Sequence, residues 1–142
     1  MSDHPRWFRQ ERHPGAEETP LPGSGPLVVV VGPCAAGKST LAEGLRRLGF
    51  RAMVSGQEHS DIPSLWRHAD PDLVVALDID LETIRQRRGD ASWPAWLYEL
   101  QRERLLQAEE AAAIQIDTTA LDAAAVLDEV AAFLAARRRE SV

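Results

Sequence analysis

The chain has 142 residues, a length that suits one domain, and 44% of them are hydrophobic, enough for a packed core. The longest aliphatic run, Leu27 to Val31, is far too short to cross a bilayer, so no membrane partner is expected. A formal net charge of -6 argues against a broad nucleic-acid-binding face, and the single cysteine, Cys34, excludes an internal disulfide and fits a cytoplasmic setting.

Residues 1–26 carry Pro5, Pro14, Pro20, Pro22 and Pro26 among glycines and charges. Such a segment cannot bury enough apolar surface to offset its ordering entropy, and it reads as a disordered tail without an apolar secretion signal. The folded domain is expected over 27–142. Leu27-Val28-Val29-Val30-Val31 is a continuous aliphatic run, the pattern of a strand covered on both faces. Lys38 to Leu48 reads as a helix, with Leu41, Leu45 and Leu48 at helical spacing and Gly49 as its stop. Phe50 to Val54 is a short second strand. Asp61 to His68 reads as a short helix capped by Asp61, with Pro63 in its first turn. Leu73 to Leu77 is another buried strand, and Asp80 caps a helix that runs through Ile84 to Arg88. After a loop at Gly89 to Ser92, a longer helix spans Pro94 to Ala112, flanked by Trp93 and Trp96 as apolar anchors. Ile114 to Ile116 is the last strand. Leu121 to Arg137 is the closing helix, with Leu127, Val130, Phe133 and Leu134 on one face and the basic Arg137, Arg138 and Arg139 at its solvated end. Strands alternating with helices imply an α/β fold, a parallel sheet between two helical layers joined by right-handed crossovers.

The most specific pattern is Gly32-Pro33-Cys34-Ala35-Ala36-Gly37-Lys38-Ser39-Thr40, which meets G-x-x-x-x-G-K-[S/T] between a strand and a helix. Gly32 and Gly37 permit a backbone path that side chains would obstruct. The loop turns its amides inward as an anion nest, and the following helix offers its positive end. Lys38 is placed to reach the β- and γ-phosphates and Ser39 to ligate Mg2+. Cys34, next to a helix N-terminus, sits where a thiol pKa can fall.

These residues resemble the phosphate-binding loop of P-loop NTPases, and the chain resembles their small-molecule kinase branch: nucleoside monophosphate kinases, shikimate kinase and gluconate kinase. The loop carries most of the likeness. Asp72 to Asp78, followed by Arg85, Arg87 and Arg88, is similar to the strand and arginine-bearing helix leading into the kinase lid. Ile116-Asp117-Thr118-Thr119 and the closing helix are similar to the last strand and helix of those enzymes. The resemblance implies ATP and Mg2+ as cofactors, an extra α-phosphate contact from Thr40, and a small-molecule acceptor. This sequence departs from the kinases in lacking one strand–helix unit between residues 50 and 72, which implies a reduced four-stranded sheet in the order 2-1-3-4.

That order brings Gln57-Glu58-His59-Ser60-Asp61 to the carboxyl edge of the sheet, where open α/β sheets bind ligands. Glu58 or Asp61 can hold metal-bound water or serve as the acceptor's base, and His59 can do acid–base work. Asp78, ending an apolar strand, is the rival magnesium-organising acid. Cations around a transferred phosphoryl group point to Arg88 and then Arg85, which share a helix face, with Arg87 pointing elsewhere. Arg67 is a candidate grip on an anionic acceptor, and Trp66 is a candidate cover for its pocket or a core residue. The expected function is an ATP- and magnesium-dependent phosphotransferase acting on a small molecule. The alternative is a nucleotide-dependent switch or slow ATPase that works through a protein partner.

Overall fold

A computed structural model describes residues 25–140. The tail expected over 1–26 lies outside the described residues except for Gly25 and Pro26. The fold is α/β, with an all-parallel four-stranded sheet in the order β2-β1-β3-β4, as expected from the sequence. The strands are β1 (Leu27–Val31), β2 (Arg51–Val54), β3 (Leu73–Asp78) and β4 (Ile114–Asp117). The helices are α1 (Lys38–Arg47), α2 (Leu81–Arg88), α3 (Ala95–Ala111) and α4 (Ala123–Glu140). Among the described residues no helix is long and apolar enough to cross a membrane.

The continuous apolar run of β1 has a direct packing cause. Alternate strand residues face opposite sides of a sheet. Val28 and Val30 pack with Leu41 and Leu45 of α1, Ile84 of α2 and Val130 and Leu134 of α4. Leu27, Val29 and Val31 pack instead with Met53, Trp66 and, from α3, Leu105 and Ala108. All five strand residues are therefore buried, each aliphatic side chain stabilising the fold by about 1.5–3 kcal/mol. Register then aligns the carboxyl ends: Val30 lies opposite both Val54 and Val75, and Asp78 opposite Asp117. The turns that follow β1, β2, β3 and β4 thus open on one edge.

The structure corrects the expectation of a helix over Asp61–His68. This stretch holds a 3-10 turn at Leu65–Ala69, preceded by another at Gln57–His59. The cause is Gln57, which is fully buried. Its amide nitrogen donates to Ile62 O at 2.8 Å and its amide oxygen accepts from Trp66 N at 2.9 Å. That clamp fixes an irregular path, and Pro63 disfavours helical backbone at Ile62. Asp61 caps nothing here; it is exposed and pairs with Arg104 at 2.9 Å. Two apolar expectations also change. Trp93 is buried in the core, but Trp96 is 67% exposed and anchors no helix. The closing helix starts at Ala123, where Asp122 Oδ1 accepts from Ala125 N at 2.8 Å, and its buried face gains Val126.

Candidate functional site

The glycine-rich loop joins β1 to α1, and each glycine has its own reason. A Cβ on Gly32 would stand 2.9 Å from Leu77 O, so only glycine lets the loop leave β1 this close to β3. Gly37 is open on that side but has a φ of 96°, in the left-handed region that favours glycine. It is the residue before α1, and as glycine it brings no side-chain cap to that helix. The first amides of a helix have no partner within it. The positive end of α1 therefore faces the carboxyl edge with its donors uncapped, and Ser39 and Thr40 are exposed beside it.

Lys38 is held nearby rather than extended into solvent. Its Nζ donates to Pro33 O at 2.9 Å and pairs with Glu58 Oε2 at 2.9 Å. Both side chains are nearly enclosed, at 10% and 5% exposure. Glu58 arrives through the Gln57 clamp, and Arg104 Nη1 donates to its carbonyl at 3.2 Å. Among the described residues its second carboxylate oxygen, Oε1, is buried without a hydrogen-bond partner, as is the hydroxyl of Ser55 after β2. The structure thus brings together Lys38, Glu58 and the loop. An enclosed carboxylate oxygen with no donor has the chemistry of a hard-cation ligand.

The other expected site residues are placed differently. Asp78 Oδ1 accepts from Arg102 Nη1 at 2.9 Å and from its neighbour Ile79 N at 2.8 Å. Arg85 Nε donates to Trp93 O at 2.9 Å, and the Arg88 guanidinium lies 5.7 Å from the Trp93 ring centroid. Both arginines thus hold the loop between α2 and α3. Arg87, set aside on helical spacing, is the one that reaches the glycine-rich loop. It donates to Ala35 O at 2.9 Å and to Thr118 O at 2.7 Å. Ile84 is the buried residue of α2, and both Arg87 and Arg88, three and four positions on, adjoin its face, so spacing alone did not single out Arg87. Trp66 is buried in the core, with Arg67 5.0 Å above its ring.

Two further residues had no sequence signal. Gln101 on α3 is fully buried; its Oε1 accepts from Cys34 N at 3.0 Å and its Nε2 donates to Cys34 Sγ at 3.1 Å. Thr118 Oγ1 lies 3.2 Å from Ala36 O and 3.0 Å from Asp78 O, joining the loop to the end of β3. Beside these contacts is a cavity of about 310 Å³, lined by Gly37 and Thr40 from the loop side, by Arg87, and by Thr118, Asp122 and Ala123 after β4.

Cys34 also meets His59. Burial pushes the thiol up, but hydrogen bonds from His59 and Gln101 outweigh it and bring the pKa below the ordinary cysteine value. The bond to Cys34 in turn raises the His59 pKa, with burial opposing and the Glu58 charge adding to the rise. Alkylation of Cys34 by iodoacetamide, followed against pH, is expected to reach half its maximal rate below the midpoint of a free cysteine. His59→Ala is expected to move that midpoint upward. An unchanged midpoint in the variant would remove His59 as the cause.

No protein-family model matches the chain, and no curated protein matches its sequence.

Proposed function

We propose that this protein binds the phosphates of ATP, with Mg2+, at the loop Gly32–Thr40 and transfers the terminal phosphoryl group to a small molecule. The observation that carries this reading is the uncapped, positive end of α1 beside a buried Lys38–Glu58 pair that still has one carboxylate oxygen unpartnered. Uncapped helix amides bind phosphate oxygens without needing other special features. Lys38 supplies the cation for the β- and γ-phosphates. The cavity beside Arg87 and Thr118 has the position and size for the nucleoside, within the range of small-molecule sites. Ser39 and Glu58 are the residues that would hold Mg2+, directly or through water, and the ion would neutralise charge on the transferred group. Arg87 positions the loop through Ala35 O while presenting its charge at the cavity. The glycine-rich motif resembles that of P-loop NTPases of the small-molecule kinase branch, while the sheet lacks one strand–helix unit of those enzymes.

A second reading is supported by a different observation. The segment after β2, where an acceptor would sit, is pinned by Gln57 and tied to α3 through Arg104, which bonds both Asp61 and Glu58 O. A pinned segment suits a nucleotide-dependent switch or slow ATPase acting through a protein partner.

The deciding experiment is ATP turnover with Mg2+ against a pooled metabolite panel, read by mass spectrometry. A new phosphorylated species is expected, lost when Mg2+ is omitted. ATP hydrolysis that no metabolite alters supports the second reading, and failure to bind ATP at all removes both.

A further inference from the structure

Cys34, Glu58 and His59 reach one point from two segments, the glycine-rich loop and the turn after β2. The Cys34 sulfur, a carboxylate oxygen of Glu58 and an imidazole nitrogen of His59 all lie within 4.8 Å of one another. Glu58 Oε2 faces Lys38 Nζ at 2.9 Å and His59 Nε2 at 3.4 Å, while Oε1 is buried with no partner. An enclosed carboxylate oxygen left unsatisfied is costly, and a cation satisfies it.

We propose that these three side chains form a binding site for a borderline-soft divalent cation, Zn2+ in particular. Thiolate and imidazole together select zinc over magnesium or calcium, which prefer oxygen ligands alone. Ligand bonds of about 2.0–2.3 Å in a tetrahedral arrangement place ligand atoms about 3.6 Å apart. The ligand atoms already lie near that spacing, with His59 Nε2 3.4 Å from Glu58 Oε2 and the three groups within 4.8 Å of one another, and the His59 side chain is 57% exposed toward solvent. The thiolate and carboxylate charges offset the dication, and Lys38, still bonded to Glu58 Oε2, leaves the cluster with one net positive charge. On binding, the Cys34 S–H proton passes to solvent as the S–Zn bond forms, with no change of oxidation state. The fourth position is left to water, and the ion ties the loop to the turn after β2.

The site shares Glu58 with the proposed Mg2+ ligands, so the two ions are alternatives there, and the titration omits nucleotide and Mg2+ so that its outcome is separate from that of the nucleotide reading. The whole chain is titrated with Co2+, which reports the same ligands by absorption. One equivalent is expected to give a near-ultraviolet thiolate-to-cobalt band that added Zn2+ removes. Cys34 is the only cysteine, so such a band has one source. Cys34→Ser is expected to abolish it, and His59→Ala to weaken Co2+ binding by at least about tenfold, the low end for losing even an outer partner of a metal site. Both positions are at least partly exposed, and circular dichroism verifies that the variants fold. A wild-type chain without the band, or a His59→Ala chain that binds Co2+ as tightly as wild type, overturns the proposal.

Discussion

Lys38→Ala is expected to lower folding stability by about 3–5 kcal/mol, because it leaves a buried carboxylate without its cation. Glu58 is 5% exposed, its Oε1 already lacks a partner, and Lys38 is the cation bonded to its Oε2. The loss is readable as a fall in the urea midpoint at unchanged slope. The double variant Lys38→Met with Glu58→Gln removes both charges and is expected to recover most of it, since replacing a buried pair by neutral groups of similar size is often close to neutral. A Lys38→Ala loss under about 1 kcal/mol would show that the pair is solvated like a surface one. Under the proposed function this lysine also meets the phosphates, so Lys38→Ala is expected to abolish turnover as well. The remaining folded fraction has to be measured with it, because lost activity alone does not separate the two effects.

Arg87→Ala is expected to weaken nucleotide binding by about tenfold or more, while Arg88→Ala stays within about twofold. Arg87 makes two charge-assisted bonds, to Ala35 O and Thr118 O, each of a class that contributes about 1.5–3 kcal/mol. About 1.4 kcal/mol is a factor of ten in affinity. Arg88 is exposed like Arg87, but it lies over Trp93 and makes neither of these bonds, and surface substitutions away from such contacts fall within about 0.5 kcal/mol. Calorimetric titration with a non-hydrolysed ATP analogue measures both. Equal losses in the two variants would return the arginine assignment to the order expected from the sequence.

The contrast between those arginines marks where sequence reading stops. The cap at Asp80 and the buried run of β1 follow from local rules, and Asp80 Oδ1 does accept from Thr83 N at 2.8 Å; the strand order came instead from the kinase resemblance less one strand–helix unit. The position of the loop between β1 and α1 was legible because its glycines act on adjacent backbone. What was hidden depends on distant partners. Gln57 looks like one polar residue among several, and only its bonds to Ile62 and Trp66 explain why no helix forms over 61–68. Gln101 lies 67 positions from Cys34, and no spacing rule joins them. Asp78 ends its strand as expected, but its partner Arg102 comes from α3, 24 residues on. Helical spacing grouped Arg85 with Arg88; it could not say which arginine of α2 meets the loop, since Arg87 and Arg88 both adjoin the face of the buried Ile84.

Every strand pairing in the sheet is parallel, and this has a consequence for how the site comes into being. Parallel neighbours cannot be joined by a hairpin, so each pairing waits for a long crossover to close. The loop after β1 takes its partners from successive crossovers: Glu58 after β2, Arg87 and Gln101 after β3, and Thr118 after β4. No early fragment of the chain holds them all. The full set of contacts around the loop is therefore complete only when the last strand docks.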